Sequence, residues 1–548
     1  MRRFLLLAAL SAVTAVASAM PSGPAPQADL APRLSEAIAA IDRALAASKR
    51  PAVVIGITDR TGTLKVLANG HADLKTKAPI APESLFEIGS ISKSFTAVAL
   101  MQLFDEGRFD PRLPIKTYLP WFEVKSTFGP ITGHHLLTHT AGIPNYRPDA
   151  ASMAYATYAL RDFEPRYAPG EHFWYSNTGF QTLGYALEHI ERRPYPTIVQ
   201  RRIFDRLGMT ASAAAIEDRL RTKLVVSYAQ WPYDGGYVEE PWFEYRAADG
   251  SITTTAADLA AYARMILNRG ATPRGRVLSE RAFGMLTTPT LNHYAYGLFV
   301  DVVDGDTIVS HEGGIAGFVS RLEIHMHDGF AVVVLSSGGY DRDLVQWIGN
   351  CLKAAFRGHP RPDHPRAPAE PASDWAGLYT GGNGQTLEFV IVDDRLTLKR
   401  GDLLTSLTRV GPDTFRAGDE DLLPFPFVFG RRDSKVVELL HGPEWYRNES
   451  YSGPTDFAFP TGYGPFIGRY ESHNPESHAV RIFVRKGTLV LAEGASDGGR
   501  PLIEVAPATF RPADPEYNPE LYRFDSIVEG HALRLLASGM PMYRVDAP

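Results

Sequence analysis

Apolar residues recur at helical spacing near the start of the chain, at Leu34, Ile38, Ile41 and Leu45, which predicts a one-sided helix over Leu34–Ala46. Runs rich in β-branched residues follow at Pro51–Asp59 and Leu64–Ala72 and read as strands. Far downstream, Val319–Met326 and Phe330–Ser336 have the same character. They are joined by His327-Asp328-Gly329, whose Asp-Gly step favours a hairpin turn. A second helical stretch, Leu344–Phe356, comes next. Helix and strands open this unit, and strands and a helix close it. That arrangement predicts an α+β domain whose terminal segments share one antiparallel sheet.

The pattern then changes. Gly358–Asp374 carries Pro360, Pro362, Pro365, Pro368 and Pro371, and proline both fixes φ and removes a backbone donor, so this stretch reads as a stiff linker. Beyond it the chain repeats itself. Trp375-Ala376-Gly377-Leu378-Tyr379 matches Phe466-Ile467-Gly468-Arg469-Tyr470, and Leu396-Thr397-Leu398 matches Leu489-Val490-Leu491. Val410–Arg416 matches Val505–Arg511, and Tyr446-Arg447 matches Tyr543-Arg544. The offsets are 91, 93, 95 and 97, a drift of a few residues. Both copies are short alternating strands broken by Gly, Asp and Pro turns, so each predicts a small antiparallel barrel or sandwich. The expected division is an α+β domain over 30–357, a linker over 358–374, β domains over 375–452 and 466–546, and a connector over 453–465.

The first residues belong to none of these. Arg2 and Arg3 precede an apolar stretch from Phe4 to Val16 and the small-residue site Ala17-Ser18-Ala19, the pattern of a secretory signal over 1–19. The stretch is short for a bilayer span, so a short N-terminal anchor is the weaker alternative. The chain has 548 residues, 44% hydrophobic and 22% charged, enough to bury several cores. Its formal charge is 56 − 62 = −6, and cleavage after Ala19 removes two arginines to leave −8. No long run of one sign is present, which argues against a nucleic-acid partner. Cys351 is the only cysteine, so an intramolecular disulfide and a four-cysteine zinc site are both excluded; its apolar helical setting predicts a core residue.

Three short constellations carry chemistry. Ser90-Ile91-Ser92-Lys93 opens a nearly wholly apolar helical run, and residues three apart share one face of a helix. A serine hydroxyl needs a base, and a lysine serves if burial and the positive end of the helix favour its neutral form. Tyr175-Ser176-Asn177 offers a phenol able to relay a proton and an amide able to hold a substrate amide, with helix capping by Asn177 as the structural alternative. His311-Glu312-Gly313-Gly314 follows the strand-like Thr307–Ser310 and supplies a polar side chain with backbone open to close approach. Two copies of these patterns are set aside. Tyr446-Arg447-Asn448 holds a repeat position, and His327-Asp328-Gly329 makes a turn. No second histidine stands at ligand spacing from His311, so no metal is expected.

In this order the three motifs resemble those of the serine β-lactamase and penicillin-binding-protein superfamily, in the branch of class C β-lactamases, D,D-carboxypeptidases, D-aminopeptidases and related esterases. Leu136-Leu137-Thr138-His139-Thr140-Ala141-Gly142, Leu207-Gly208-Met209-Thr210 and Gly314-Ile315-Ala316-Gly317-Phe318 agree with it, over roughly Leu34 to Phe356. The resemblance implies a β-lactamase-like catalytic domain, an antiparallel sheet with flanking helices plus an all-helical lobe, followed by two barrel-like domains. It implies Ser90 as acylated nucleophile and Lys93 and Tyr175 as the proton-transfer pair, with the choice of base between them open. It further implies Asn177, His311, Gly313 and Gly314 as substrate-binding positions, with the amides of Ser90 and Gly314 as the oxyanion hole. His311 departs from the lysine of class C β-lactamases and is similar to the D-aminopeptidase pattern; it weakens the fixed charge that would hold a substrate carboxylate. His139 is a tempting base, but the resemblance places its segment as a structural turn. Trp231, Tyr233, Tyr237 and Trp242 are equally suited to lining a pocket or covering a core.

The expectation is a periplasmic or secreted serine hydrolase without metal or organic cofactor, acting on small amides or peptides, those with D-residues favoured. Its partner is a small-molecule or peptide substrate, with no nucleic acid and no membrane span after signal cleavage. An esterase or β-lactamase of the same family is the near alternative, and a non-catalytic sensor of cell-wall peptides or penicillin the distant one.

Overall fold

The computed structural model describes residues 30–145, 152–230, 236–339, 341–364, 372–422, 424–473, 479–493 and 498–545. The signal-like segment, Trp231, Tyr233 and the centre of the proline-rich linker lie outside the described residues. The first helix, α1, spans Leu30–Ala46 and buries Ala37, Ile41 and Leu45. The strands β1 (Ala52–Asp59), β2 (Thr63–Asp73) and β3 (Ala78–Pro79) follow. Four later strands, β4 (Phe299–Val303), β5 (Asp306–Ile315), β6 (Phe318–His325) and β7 (Phe330–Ser337), complete one antiparallel sheet in the order β4-β5-β6-β7-β1-β2-β3. The two ends of the domain therefore meet at its centre: β1 pairs with β7 from Ala52↔Ser337 to Asp59↔Phe330.

Burial on both faces explains the unbroken apolar run of β1. On one face Val53, Ile55 and Ile57 pack with α1 and with the closing helix Arg342–Arg357, whose Trp347, Ile348, Cys351 and Leu352 fill the same cluster. Fully burying a residue such as Ile41 contributes about 1.5–3 kcal/mol. On the other face Val54 joins the main core, which includes α2 (Ser92–Asp105) and the helix Ala256–Leu267. Every residue of α2 from Ser92 to Leu103 is buried, the polar ones included, so the helix is enclosed on all sides. Among the described residues no helix is long and apolar enough to cross a membrane.

The two repeats form two closed eight-stranded antiparallel barrels. The first runs from Gly377–Gly381 to Glu444–Arg447 and closes through Gly381↔Tyr446; the second runs from Gly468–Glu471 to Met540–Val545 and closes through Tyr470↔Arg544. Their shared motif has one physical meaning. Tyr379 donates its hydroxyl to Trp375 O at 3.1 Å, and Tyr470 donates to Phe466 O at 2.9 Å, tying the first strand back to its own start. Closure leaves no exposed sheet edge.

Candidate active site

Ser90 does not sit in the helix. Gly89–Ile91 form a single 3-10 turn, and α2 begins at Ser92 without a side-chain cap. Lys93 in its first turn is fully buried, and its Nζ donates to Ser90 Oγ at 3.0 Å and to the carbonyl of Asp249 at 2.8 Å. The same Nζ lies 4.9 Å from the centroid of the Tyr175 ring and 5.8 Å from that of Phe180.

The Tyr175-Ser176-Asn177 segment leads into the helix Asn177–Glu191. Its cap is Ser176, not Asn177: the Ser176 hydroxyl accepts from Gly179 N and donates to Pro144 O. That leaves the Asn177 side chain unclaimed by the helix end. Its backbone N–H donates to Asn145 Oδ1 at 2.8 Å, while its own Oδ1 is buried with no donor among the described residues. A buried amide oxygen without a donor is costly and marks a place for an incoming N–H.

His311 lies inside β5, which continues past the expected end at Ser310 through Gly313 and Gly314, paired with Ser320 and Val319 of β6. The glycines are required by contact. A Cβ on Gly313 would lie 2.0 Å from Ile88 O, and one on Gly89 (φ +47°) would lie 2.7 to 2.9 Å from the backbone of Gly314. Ser320 Oγ adds a hydrogen bond to Ile88 O at 2.9 Å. The strand is thus seated against the turn that carries Ser90, and the Gly314 backbone is held beside the serine's own. His311 is buried, and burial, reinforced by the charge of Lys93, pushes its pKa down to about 3. It is neutral. Nδ1 faces the carbonyl of Glu312 at 2.5 Å and so carries the proton; Nε2 accepts from the Tyr294 hydroxyl at 3.1 Å. Tyr294 stays a phenol, because burial drives its pKa well upward.

The structure therefore brings Ser90, Lys93, Tyr175, His311, Gly313 and Gly314 together, with Asn177 two residues beyond Tyr175 at the start of its helix. Sequence reasoning missed Tyr294, Asn145 and the Asp249 carbonyl, which have no spacing signal. It also missed Glu520, from the second barrel, whose Oε1 accepts from Asn145 N at 2.7 Å and from Trp174 Nε1 at 3.1 Å. Beside it the Tyr517 ring stacks on His172, centroids 4.3 Å apart and nearly parallel. Of the four candidate aromatics, the two within the described residues sit elsewhere: Tyr237 lines a cavity with Arg50 and Trp347, and Trp242 lines another with Ala316 and Phe318, with Arg221 over its ring. One cluster has the residue types of a metal site, Asp306, His325 and Asp328, at the far end of β5 and β6. Both His325 nitrogens are already committed, to Asp306 Oδ2 at 2.7 Å and Glu323 Oε1 at 3.0 Å, which describes an imidazolium and leaves no lone pair for a metal.

A serine paired with a buried lysine, at the foot of a sheet flanked by a helical lobe, defines a class of serine hydrolases. The Beta-lactamase family model matches residues 37–352, more than half of the chain, and the chain belongs to that family. Penicillin-binding protein 4 of Amycolatopsis lactamdurans is 28% identical over 351 residues, which cover 59% of this chain and 91% of that protein. Among solved structures, the octameric penicillin-binding protein homologue from Pyrococcus abyssi matches with a TM-score of 0.53 at 23% identity, over 76% of this chain and 99% of that one. D-amino acid amidase from Ochrobactrum anthropi SV3 matches with a TM-score of 0.50 at 22% identity, over 59% of this chain and 97% of its own. At these identities the structural likeness is one of fold.

Proposed function

We propose that this family member is an exported serine hydrolase that cleaves small amides or peptides, D-residue substrates favoured, through an acyl-enzyme on Ser90. The observation that carries the reading is the 3.0 Å bond between Ser90 Oγ and the Nζ of a fully buried lysine. Ser90 Oγ attacks the substrate carbonyl carbon, and its proton passes to the Lys93–Tyr175 pair. The carbonyl oxygen becomes an oxyanion between the amides of Ser90 and Gly314, a contribution worth about 10²–10³-fold per donor. Collapse breaks the C–N bond, the departing amine takes the proton, and water later releases the acid. Asn177 Oδ1 supplies the acceptor for a substrate amide N–H.

The neutral state of His311 bears on the substrate. A neutral imidazole gives a substrate carboxylate no fixed charge to bind, which favours amides over carboxylate-bearing β-lactams and peptides. Export rests on the Arg2-Arg3, apolar and Ala17-Ser18-Ala19 pattern, and the mature protein is expected to begin at Met20.

The test is intact-protein mass after a serine-directed phosphonate, followed by a panel of D-aminoacyl amides, D-Ala-D-Ala peptides, nitrophenyl esters and a chromogenic cephalosporin. One adduct is expected, lost in Ser90→Ala together with turnover by about 10⁴-fold or more. An adduct that persists in Ser90→Ala, or a wild-type protein that takes none, refutes the reading in favour of a binding protein.

A further inference from the structure

His139 has no part in the chemistry above, yet its setting is unusual three times over. It lies in the turn after the short helix Gly133–Leu137, with φ +56°, a left-handed conformation that strains a non-glycine residue. It is 2% exposed. Its ring Nε2 is buried with no partner among the described residues, a donor whose hydrogen bond is left unmade. A phenylalanine at this position would remove the unpaired donor.

What the imidazole contributes is visible in its contacts. The His139 carbonyl accepts from Trp174 N at 2.7 Å, and ring Nδ1 accepts from Ser176 N at 3.1 Å. The residue between those two is Tyr175. Its ring lies over the imidazole, centroids 4.2 Å apart and tilted by 38°. One residue thus grips the backbone on both sides of Tyr175 and supports its ring from beneath. Accepting at Nδ1 requires a neutral ring with its proton on Nε2. Burial, together with the charge of Lys93, keeps the pKa of His139 well below its ordinary value, and a proton on Nδ1 would oppose the Ser176 N–H. Retaining strain and an unpaired donor at one buried position beside reacting groups is the mark of a functional constraint.

We propose that His139 is a positioning residue that holds the Tyr175 phenol in register with Lys93 and Ser90 for proton transfer. The proposal rests on the acyl-enzyme reading of Ser90. The other groups facing this ring are Phe173, Phe180 and Tyr294, none of which offers the Ser176 N–H an acceptor.

The test uses the full chain with His139→Gly and His139→Asn. Glycine accepts the left-handed backbone without strain and so isolates loss of the ring; asparagine also tolerates that backbone, and its Oδ1 can replace Nδ1 as acceptor. His139→Gly is expected to lower kcat about 10²-fold with KM within about threefold, the signature of misplaced reacting groups. The pH midpoints of kcat/KM should move in His139→Gly and return in His139→Asn, with kcat recovering to within about 10-fold of wild type. A His139→Gly protein that melts lower yet keeps its kcat per folded molecule overturns the proposal. So does an asparagine variant no better than glycine. Should either variant fail to fold, His139→Gln, whose longer amide reaches past the Nδ1 position, is expected to fold and to remain as impaired as glycine; wild-type kcat in it overturns the proposal. A wild-type protein that takes no phosphonate sinks the acyl-enzyme reading; a wild type that is labelled, with His139→Gly labelled equally fast, sinks only the role of His139.

Discussion

The two barrels share a strand plan and even a tyrosine tie, yet they meet different neighbours. In each, the connection between the fifth and sixth strands is the docking arm. In the first barrel that connection carries Phe425, which packs edge-on against Phe483 of the second barrel at 5.4 Å, under Arg481. In the second it carries Tyr517 and Glu520, which bind the catalytic domain beside the Tyr175 motif. Further contacts join the barrels: Arg485 Nη1 donates to Gly442 O at 3.0 Å, and Lys486 pairs with Glu438 among the rings of Trp445, Tyr451 and Phe457. Duplication supplied one scaffold twice, and the same loop meets different neighbours in the two copies: the twin barrel in the first, and His172, Trp174 and Asn145 in the second.

The largest effect should come from removing both copies. A chain ended at His359 retains its two core clusters, so we expect it to fold, to turn over amides about 10²-fold more slowly and to accept a wider range of them. If that fragment is insoluble, the barrels are part of the domain's stability and the contrast drawn above is too simple. A smaller effect should separate the two arms. Glu520→Ala leaves Asn145 N and Trp174 Nε1 without their acceptor, a loss of about 1–3 kcal/mol in local support, and kcat/KM is expected to fall about 10-fold. Phe425→Ala, at the equivalent arm, should lower Tm and leave kcat untouched; equal losses of kcat in the two variants would erase the distinction.

The smallest effect concerns acid. His441 is stacked on Phe427 in the first barrel, and burial lowers its pKa to about 4, whereas Ala537 ends the equivalent strand of the second. A histidine whose folded pKa is depressed binds its proton more readily when unfolded. The first barrel should therefore lose stability as pH falls from about 6.5 towards about 4, by up to about 1.4 kcal/mol per pH unit. Hydrogen exchange should show Phe427–His441 loosening before Tyr522–Ala537 over that range, and His441→Ala should abolish the difference. Simultaneous loosening in wild type would show that the histidine contributes nothing to the contrast.

Much of the architecture was legible because it is local and periodic. Helical spacing marks the opening and closing helices, β-branched runs mark the sheet, and duplicated Trp/Phe and Tyr positions mark the barrels. The candidate reacting groups were legible because three motifs, each common alone, stand together in one order along the chain: a serine and a lysine three apart, a phenol beside an amide, and a histidine before two glycines. What escaped notice works through backbone or through distance. The Asp249 carbonyl has no side-chain signature, Ser176 displaces Asn177 from the cap for reasons of geometry alone, and β5 runs through two glycines that alternation treats as a stop. Glu520 lies hundreds of residues from the loop it supports, with no pattern linking the two. Tyr294 carries no motif of its own, and only its bond to His311 Nε2 in the folded chain gives it a part.

The pairing of the first strand with the last has a consequence for the nascent chain. Ser336 donates to Ala52 O across 284 positions, so the ribosome must emit almost the whole domain before its middle can be assembled. At synthesis rates of about 5–20 residues per second, this leaves the hydrophobic β1 waiting for roughly a quarter of a minute to a minute. Through that interval it has α1 on one face and β2 along one edge, and its other face and edge stay open, a sticky ribbon that a chaperone or an export channel would have to shelter.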